Sequence, residues 1–231
     1  MRLTKKKVVL LLFLGSVSYW YYQDSHPNIW GDEANEPYIT VSGKKPTGST
    51  VKSWVDYTVS GEECETYSYD MFGKKAYKGG GFTKRFTHNF SGDENYYDLR
   101  IPYTSYVDKH NCIVELDSIN VEFYNPFDTV GFAQLRIYQA GNDYNNKPIP
   151  LDSKIEARDC EPFYIEKLNR STNGNYCTFY VNEKRKGNEH EFSYFNINFD
   201  FTQFNEETVI HYDILAGDDY RSTPLDPKTG K

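Results

Sequence analysis

Few side chains of this 231-residue chain have the spacing of a catalytic or metal-binding motif. His190-Glu191 begins like the zinc-protease sequence HExxH, but Tyr194 stands where the second histidine is needed. The sequence also lacks the hydrolase elbow GxSxG, the phosphate-binding patterns GxxxxGK[ST] and GxGxxG, and an EF-hand loop. The 5 histidines occur singly, and His88 and His211 fall on the predicted polar faces of strands. We therefore predict no enzyme activity, no metal site and no cofactor.

Four cysteines are the residues best suited to chemistry, and that chemistry is disulfide formation. Their number is even and none has the CxxC spacing of a zinc site. Three pairings are open to four cysteines. Order along the chain favours the two sequential pairs, Cys64–Cys112 and Cys160–Cys177.

One local pattern argues against the second of these pairs. Asn173-Gly174 is typical of a two-residue hairpin turn. A hairpin centred there would place Cys177 opposite Arg170, about 33 Å along the strand from Cys160 at about 3.3 Å per residue. A disulfide needs Cα atoms within about 7 Å. We keep the sequential pairing, because Asn-Gly also occurs in ordinary loops.

Tyrosine is the anomaly of the composition, with 21 residues in a chain that is 17% aromatic. Some of these rings fit the edge of a β core, where the ring is buried and the hydroxyl reaches water. Others lie in polar stretches beside acidic residues, and Tyr is enriched at binding interfaces. We predict a partner-binding surface made of such tyrosines and acids: Tyr67, Tyr69, Asp93, Glu94, Tyr96, Tyr97, Tyr103 and Tyr106.

Residues 1–22 predict export from the cytoplasm. Residues 2–7 carry four basic side chains and no acid, and Val8–Leu14 is an unbroken apolar run. This is the pattern of a signal peptide, with Ser16 and Ser18 as the small residues before a cleavage point. The alternative is an inner-membrane anchor formed by residues 8–22, whose aromatic end suits the membrane interface. Either reading places the remainder in the periplasm, soluble or anchored.

The net charge of −7 restricts the classes of partner. Removal of residues 1–18 would take away four positive charges and leave −11. Nucleic acid and anionic membrane surfaces require basic patches, so we expect neither as a partner. A basic secreted protein suits this charge, although acidity also serves solubility alone.

Alternating apolar and polar residues predict an all-β fold. Phe195, Ile197, Phe199 and Phe201 share one face of a strand, and Ile210–Ile214 repeats the pattern. About 10–12 such segments, separated by Gly, Pro, Asn and Asp turns, indicate an antiparallel β-sandwich. We interpret Gly79–Gly81 as a flexible turn between strands rather than a ligand-binding loop.

The same pattern divides the chain into four parts. After the export segment we expect a linker or irregular segment over residues 23–50, the sandwich over 51–215 and a polar tail over 216–231. Two small sandwiches divided near Asn125-Pro126 are conceivable, but no internal repeat supports them.

A basic leader, an envelope location, a small disulfide-bonded β domain and the lack of catalytic motifs together resemble bacterial immunity proteins. Such proteins neutralise a toxin in the periplasm, and the resemblance implies a protein inhibitor that covers the active-site cleft of a toxin or effector enzyme. It is a resemblance of type, because no single motif carries it. The alternative is a carbohydrate-binding module or carbohydrate-active enzyme on a jelly-roll-like sandwich. A structural envelope subunit is a third interpretation.

Overall fold

The structure of the chain is a computed structural model. It describes residues 13–18, 28–29, 36–61, 64, 66–69, 71–78, 80–88, 94–108, 110–125, 132–141, 147–165, 170–186 and 194–217. Most of the predicted export segment lies outside these ranges, as does the tail from residue 218 onward. Residues 13–18 are helical, and no helix in the described part is long and apolar enough to cross a membrane.

The described residues are almost entirely β-strand, as the alternation predicts. A 3-10 helix, Phe201–Gln203, is a short exception near the end of the domain. The strands are β1 (Asn28–Ile29), β2 (Tyr38–Lys44), β3 (Thr50–Ser60), β4 (Thr66–Tyr69), β5 (Lys75–Lys78), β6 (Gly80–Thr87), β7 (Tyr96–Pro102), β8 (Tyr106–Val107), β9 (Ile113–Tyr124), β10 (Phe132–Gln139), β11 (Lys154–Ile165), β12 (Arg170–Val181), β13 (Lys184–Arg185), β14 (Tyr194–Phe199) and β15 (Val209–Leu215). Without the two-residue strands β1, β8 and β13, the number agrees with the predicted 10–12.

Two sheets face each other and enclose a single core. Sheet A has seven strands in the order β1-β6-β3-β9-β10-β14, with β8 paired to β9; sheet B has six in the order β13-β12-β11-β15-β2-β7. Fully buried residues of sheet A, such as Ile119 and Leu135, join one cluster with Leu99 and Ile210 of sheet B. The strands β4 and β5 form a separate two-stranded hairpin. The all-β sandwich is therefore present.

Both sheets are mixed, so the prediction of a purely antiparallel sandwich is wrong. The pairs β10–β14, β11–β15, β15–β2 and β1–β6 run parallel, while β2–β7, β3–β6, β3–β9, β9–β10 and β11–β12 run antiparallel. Side chains alternate between faces in both kinds of pair. Alternation therefore predicts a strand with one buried face but not the direction of its neighbour.

The strand β2 lies inside the segment 23–50 that the sequence suggested was a linker. Ile39 and Val41 are fully buried, between β15 on one side and β7 on the other. Gly43 of this strand allows a close approach of β2 to β15. A Cβ there would lie 1.9 Å from the carbonyl oxygen of Tyr212. The linker assignment is therefore wrong from Tyr38 onward.

The cysteines pair in sequence order, Cys64 with Cys112 and Cys160 with Cys177. The second pair lies within the β11–β12 hairpin, where the two Cα atoms are 4.0 Å apart. Asn173-Gly174 is not the turn of this hairpin but part of β12. The observed register sets buried Ala157 opposite buried Phe179, so burial of one face, rather than the Asn-Gly signal, fixes the pairing.

Candidate protein-binding surface

Large exposed apolar side chains concentrate at one end of sheet A. This surface, which we call the hairpin end, comprises the following residues: Met71, Phe72, Phe82, Tyr106, Val107 and Ile113. The strand register sets Val107 opposite Ile113 on one face of sheet A. Tyr106, opposite buried Val114, and Phe82, opposite buried Tyr57, lie on the other face at the same end. Among the described residues after 36, the remaining large apolar side chain that is exposed is Tyr96.

The β4–β5 hairpin is inserted in the chain between β3 and β6 and forms a sheet of its own. In chain order it continues the antiparallel pair β3–β6, which ends at Val59 opposite Gly80. Tyr69 pairs with Lys75, so five residues form the tip, and a strand of four residues is about 13 Å long at about 3.3 Å per residue. At the tip Met71 is 90% exposed and Phe72 is 82% exposed. Two adjacent large apolar side chains are thus presented to solvent.

A disulfide holds the base of the hairpin against the sandwich. Cys64 follows β3 and bonds Cys112, which precedes β9, with 5.8 Å between the Cα atoms. Gly80 passes so close that a Cβ would lie 2.7 Å from the carbonyl oxygen of Cys64. At Gly61, which has a φ of +138°, a Cβ would lie 2.8 Å from the Cys64 sulfur. Within the run Gly79–Gly81, Gly80 therefore serves close packing at the hairpin base.

The turn between β8 and β9 is organised by the carboxylate of Asp108. Its Oδ1 accepts hydrogen bonds from the backbone N–H of His110 at 2.8 Å and of Cys112 at 2.9 Å. The backbone N–H of Asp108 also donates to the carbonyl of Cys112. Val107 and Ile113 consequently lie opposite each other at the rim, 61% and 46% exposed.

Two tyrosines with opposite burial support the inner side of the hairpin end. Buried Tyr57 stacks on Phe82, with ring centroids 5.2 Å apart, and its hydroxyl donates to the carbonyl of Pro102 at 2.9 Å. Burial and the nearby Glu36 raise the pKa of Tyr57 and also that of exposed Tyr106. Both phenols are therefore uncharged at neutral pH, and Tyr106 presents a ring with a neutral hydroxyl.

Three of the tyrosines predicted from the sequence belong to this region. Tyr106 is part of the hairpin end, and Tyr67 and Tyr69 are residues of β4, although their side chains lie outside the described part. Tyr103 is half-buried and packs edge-on against Phe204, with centroids 6.3 Å apart. Its main described contact is thus within the domain.

Other predicted residues lie elsewhere. Glu94 and Tyr96 are exposed at the far end of β7, about 20 Å from Pro102 at about 3.3 Å per residue. There Tyr96 borders a shallow open pocket of about 260 Å³, and the ammonium group of buried Lys45 donates to the Glu94 carbonyl at 2.6 Å. Asp93 lies outside the described residues. The predicted residues are therefore not brought into one surface.

Tyr97 was predicted to belong to the binding surface, and this prediction is wrong because the residue is buried. It is 2% exposed, and its hydroxyl donates to the carbonyl of Tyr212 at 2.7 Å inside the core. The sequence pattern indicates this burial, because residues two apart share one face of a strand and Tyr97 therefore shares a face with Leu99 and Ile101.

Of the hairpin end, only Tyr106 and the β4 tyrosines were predicted from the sequence. Met71-Phe72 before Gly73 was the available signal, since large apolar residues inside a turn have no core to enter. The two strand histidines also differ: His88 is 2% exposed, contrary to the expected polar face, whereas His211 is exposed. Within the described residues no group of three potential metal ligands occurs.

Comparison of the chain with family models, with curated proteins and with solved structures found no match.

Proposed function

We propose that this protein is an exported inhibitor or immunity protein that binds a toxin or effector enzyme and occludes its active site. The single observation that carries the proposal is the hairpin end: a separate β-hairpin with an exposed apolar tip, a disulfide at its base, and further exposed apolar residues at the same end of sheet A. The hairpin enters the cleft of the partner, and Tyr106, Val107 and Ile113 cover its rim.

The composition of the hairpin end suits a protein interface. A concentration of large exposed apolar side chains in one part of a domain is typical of an interaction site. Met, Phe and Tyr are enriched in the cores of interfaces, where they fill pockets of the partner. Val107 and Ile113 add apolar area directly beside the disulfide. Water released from these side chains would supply the main driving force for binding.

The rigidity of the hairpin base favours tight binding. The Cys64–Cys112 disulfide links the segment between β3 and β6 to the start of β9, and the two Asp108 hydrogen bonds fix the turn beside it. A preformed loop loses less conformational entropy on binding than a mobile one. The hairpin end is thus prepared for insertion before it meets its partner.

Charge and compartment support the same proposal. The net charge of −7 attracts a basic partner and accelerates the encounter. Two disulfides suggest an oxidising environment outside the cytoplasm. We propose the periplasm, with residues 8–22 either removed with the signal peptide or kept as an inner-membrane anchor. Neither a cofactor nor nucleic acid has a part in this function.

The test is affinity capture from envelope extract with the full chain carrying a C-terminal tag. Three proteins are compared: the wild type, the double variant Met71→Asp/Phe72→Asp and the matched control Tyr96→Asp, which alters an exposed ring at the far end of β7. We expect one stoichiometric partner with the wild type and the control, and at least a thirtyfold weaker affinity with the double variant, or about 2 kcal/mol.

The captured protein is then assayed for enzyme activity with one equivalent of the wild type, and we expect that activity to fall. Equal capture by the double variant would move the interface away from the hairpin end. Failure to retain any protein, or a partner whose activity is unchanged, would contradict the inhibitor function itself.

A further inference from the structure

The outward face of sheet A carries a second set of binding groups, distinct from the hairpin end. We propose that this face binds a neutral oligosaccharide. We call it the aromatic face, and it consists of the outward residues of β3, β9, β10 and β14: Lys52, Trp54, Asp56, Asn120, Glu122, Tyr124, Gln134, Arg136, Tyr138 and Tyr194. The proposal does not depend on the hairpin end.

Aromatic rings are the first component of this face. The rings of Trp54 and Tyr124 have centroids 6.2 Å apart and are inclined by 54°. Lys52 extends over the Tyr124 ring at 4.7 Å from its centroid, and Arg136 extends over Tyr194 at 4.1 Å. All of these side chains are half-buried, so each keeps part of its surface in contact with solvent. The Trp54 indole, over which no described cation lies, can stack on the C–H face of a sugar, whereas the Tyr124 and Tyr194 rings each already carry a cation on one face.

A hydrogen-bonded network fixes the polar groups between the rings. Asp56 accepts from the Thr83 hydroxyl at 2.5 Å, the Ser118 hydroxyl at 3.0 Å and the Asn120 amide at 3.3 Å. One arrangement of this corner is thereby favoured before any ligand binds, which lowers the entropy lost on binding.

A second set of bonds continues the network across β9 and β10. Glu122 accepts from the Tyr124 hydroxyl at 2.9 Å and from the Gln134 amide. The Nε of Arg136 donates to the Gln134 carbonyl oxygen at 2.8 Å. Polar side chains on three neighbouring strands are thus held in a defined order.

Unused donors and acceptors remain on this preformed face. Within the described residues, the Arg136 bonds involve its Nε and leave both terminal nitrogens as donors, and the Trp54 indole N–H has no acceptor. Each Glu122 oxygen receives one described hydrogen bond and so keeps acceptor capacity. A ligand that both donates and accepts, as a sugar hydroxyl does, fits this mixture.

The charges of the aromatic face argue for a neutral ligand. Charges of both signs lie on or beside this face: Lys52, Arg136 and Arg85, which is opposite Trp54, are basic, and Asp56 and Glu122 are acidic. Burial is the main cause that raises the pKa of Glu122, so a further anion beside it would be unfavourable. A ligand with a net charge would meet groups of its own sign as well as groups of the opposite sign. A neutral polyhydroxylated ligand can form hydrogen bonds with both.

The spacing of the groups suits an extended sugar chain. Trp54 lies opposite Asn120, which lies opposite Arg136, so the three positions follow one line across β3, β9 and β10. Adjacent strands are about 4.8 Å apart, which is close to the length of one pyranose unit. Successive sugar units running across the strands would therefore meet the indole, the amide and the guanidinium in turn.

The test uses the full chain on an array of immobilised neutral glycans, followed by titration calorimetry with soluble hexamers of β-1,4-linked glucose and of β-1,4-linked N-acetylglucosamine. We expect binding to at least one neutral glycan, weakened at least tenfold by Trp54→Ala and by Tyr194→Ala. The matched control is Tyr180→Ala on the outer face of sheet B, where Arg158 lies 4.5 Å over the ring in the same arrangement. Circular dichroism and thermal melting verify the fold of each variant.

Absence of binding to any neutral glycan would overturn the proposal, as would binding that Trp54→Ala leaves unchanged or that Tyr180→Ala abolishes equally. The double variant Met71→Asp/Phe72→Asp is included, and we expect its glycan binding to be unaltered. The outcome for the aromatic face is therefore independent of the outcome for the hairpin end.

Discussion

The hydroxyl of Tyr212 donates a hydrogen bond to the carbonyl of Ala133 across the core of the sandwich. Tyr212 belongs to β15 in sheet B, whereas Ala133 lies at a register irregularity of β10 in sheet A and has a φ of 51°. A positive φ is unfavourable for alanine, so the surrounding structure must hold it. The same tyrosine accepts the hydroxyl of Tyr97 at its own carbonyl, and burial raises the pKa of both phenols. They therefore remain donors throughout the physiological pH range.

Tyr212→Phe tests this bond between the sheets. Loss of one buried hydrogen bond is expected to lower the free energy of unfolding by about 1–2 kcal/mol. Urea denaturation measures the change, with Tyr180→Phe on the outer face of sheet B as the control. A loss for Tyr212→Phe no larger than that of the control would show that the bond contributes nothing to stability.

Gly43→Ala tests the close approach of β2 to β15. The new Cβ would lie 1.9 Å from the Tyr212 carbonyl oxygen and 3.0 Å from the Asp213 backbone nitrogen, so backbone must shift to admit it. We expect a loss of about 3 kcal/mol or more, the upper range for overpacking. Thermal melting reports the effect, and the adjacent Ser42→Ala should stay within about 0.5 kcal/mol. Equal melting temperatures would contradict the observed strand approach.

Mild reduction should open the two disulfides in a defined order. Cys160 and Cys177 are 1% and 2% exposed, whereas Cys64 is half-buried at the hairpin base. A thiolate reductant needs access to sulfur, so Cys64–Cys112 should be reduced first. Timed alkylation followed by mass spectrometry identifies the modified cysteines. Earlier alkylation of Cys160 and Cys177 would contradict this expectation.

Permanent removal of the same bridge should destabilise the fold. Cys64→Ser/Cys112→Ser opens a loop with a sequence separation of 48, for which chain entropy gives about 4 kcal/mol. The matched variant Cys160→Ser/Cys177→Ser opens a separation of 17, for which the same relation gives about 3 kcal/mol. Urea denaturation of both variants measures these losses, and a negligible loss for the first would show that the hairpin base needs no covalent tie.

Stability near Glu122 should depend on pH with a definite sign. Burial raises the pKa of Glu122, against the lowering effects of the Tyr124 hydrogen bond and the Arg136 charge. The folded state therefore holds this proton more strongly than the unfolded state, so the stability that Glu122 contributes falls as pH rises through its folded pKa. Unfolding free energies of the wild type relative to Glu122→Gln should decrease between about pH 4 and pH 7. Glu115→Gln, on the same strand, controls for charge removal, and an increase over this range would contradict the assignment.

Sequence periodicity predicted the strands whose faces differ most in polarity. Ile197 and Phe199 of β14, and Ile210, Tyr212 and Ile214 of β15, are buried as the alternation indicated. The same run ends earlier than predicted, because Phe201 begins the 3-10 helix whose preceding Asp200 accepts from the backbone N–H of Thr202. Alternation records which side chains face the core, and a capping carboxylate ends the strand independently of it.

The candidate surfaces were less accessible to sequence analysis. Tyr96 and Tyr97 are adjacent, yet Tyr97 faces the core and Tyr96 faces solvent. Met71 and Ile39 are both apolar, yet only the position of β4–β5 outside the two sheets exposes the former. The aromatic face depends on which strand lies beside which, and that order joins residues distant in sequence such as Trp54 and Asn120.

The pairing of β2 with β15 has a consequence for the order in which the protein acquires its shape. Val41 lies opposite Ile210, so β2, near the start of the domain, pairs with β15, the last described strand. On the proposed export route, in which the chain leaves a translocation channel N-terminus first, sheet B cannot close until residue 215 has passed through. Until then Ile39 and Val41 lack one neighbouring strand, and the long sequence separation makes closure slow. On this route the closure of sheet B is a late event, which follows the transport of β15.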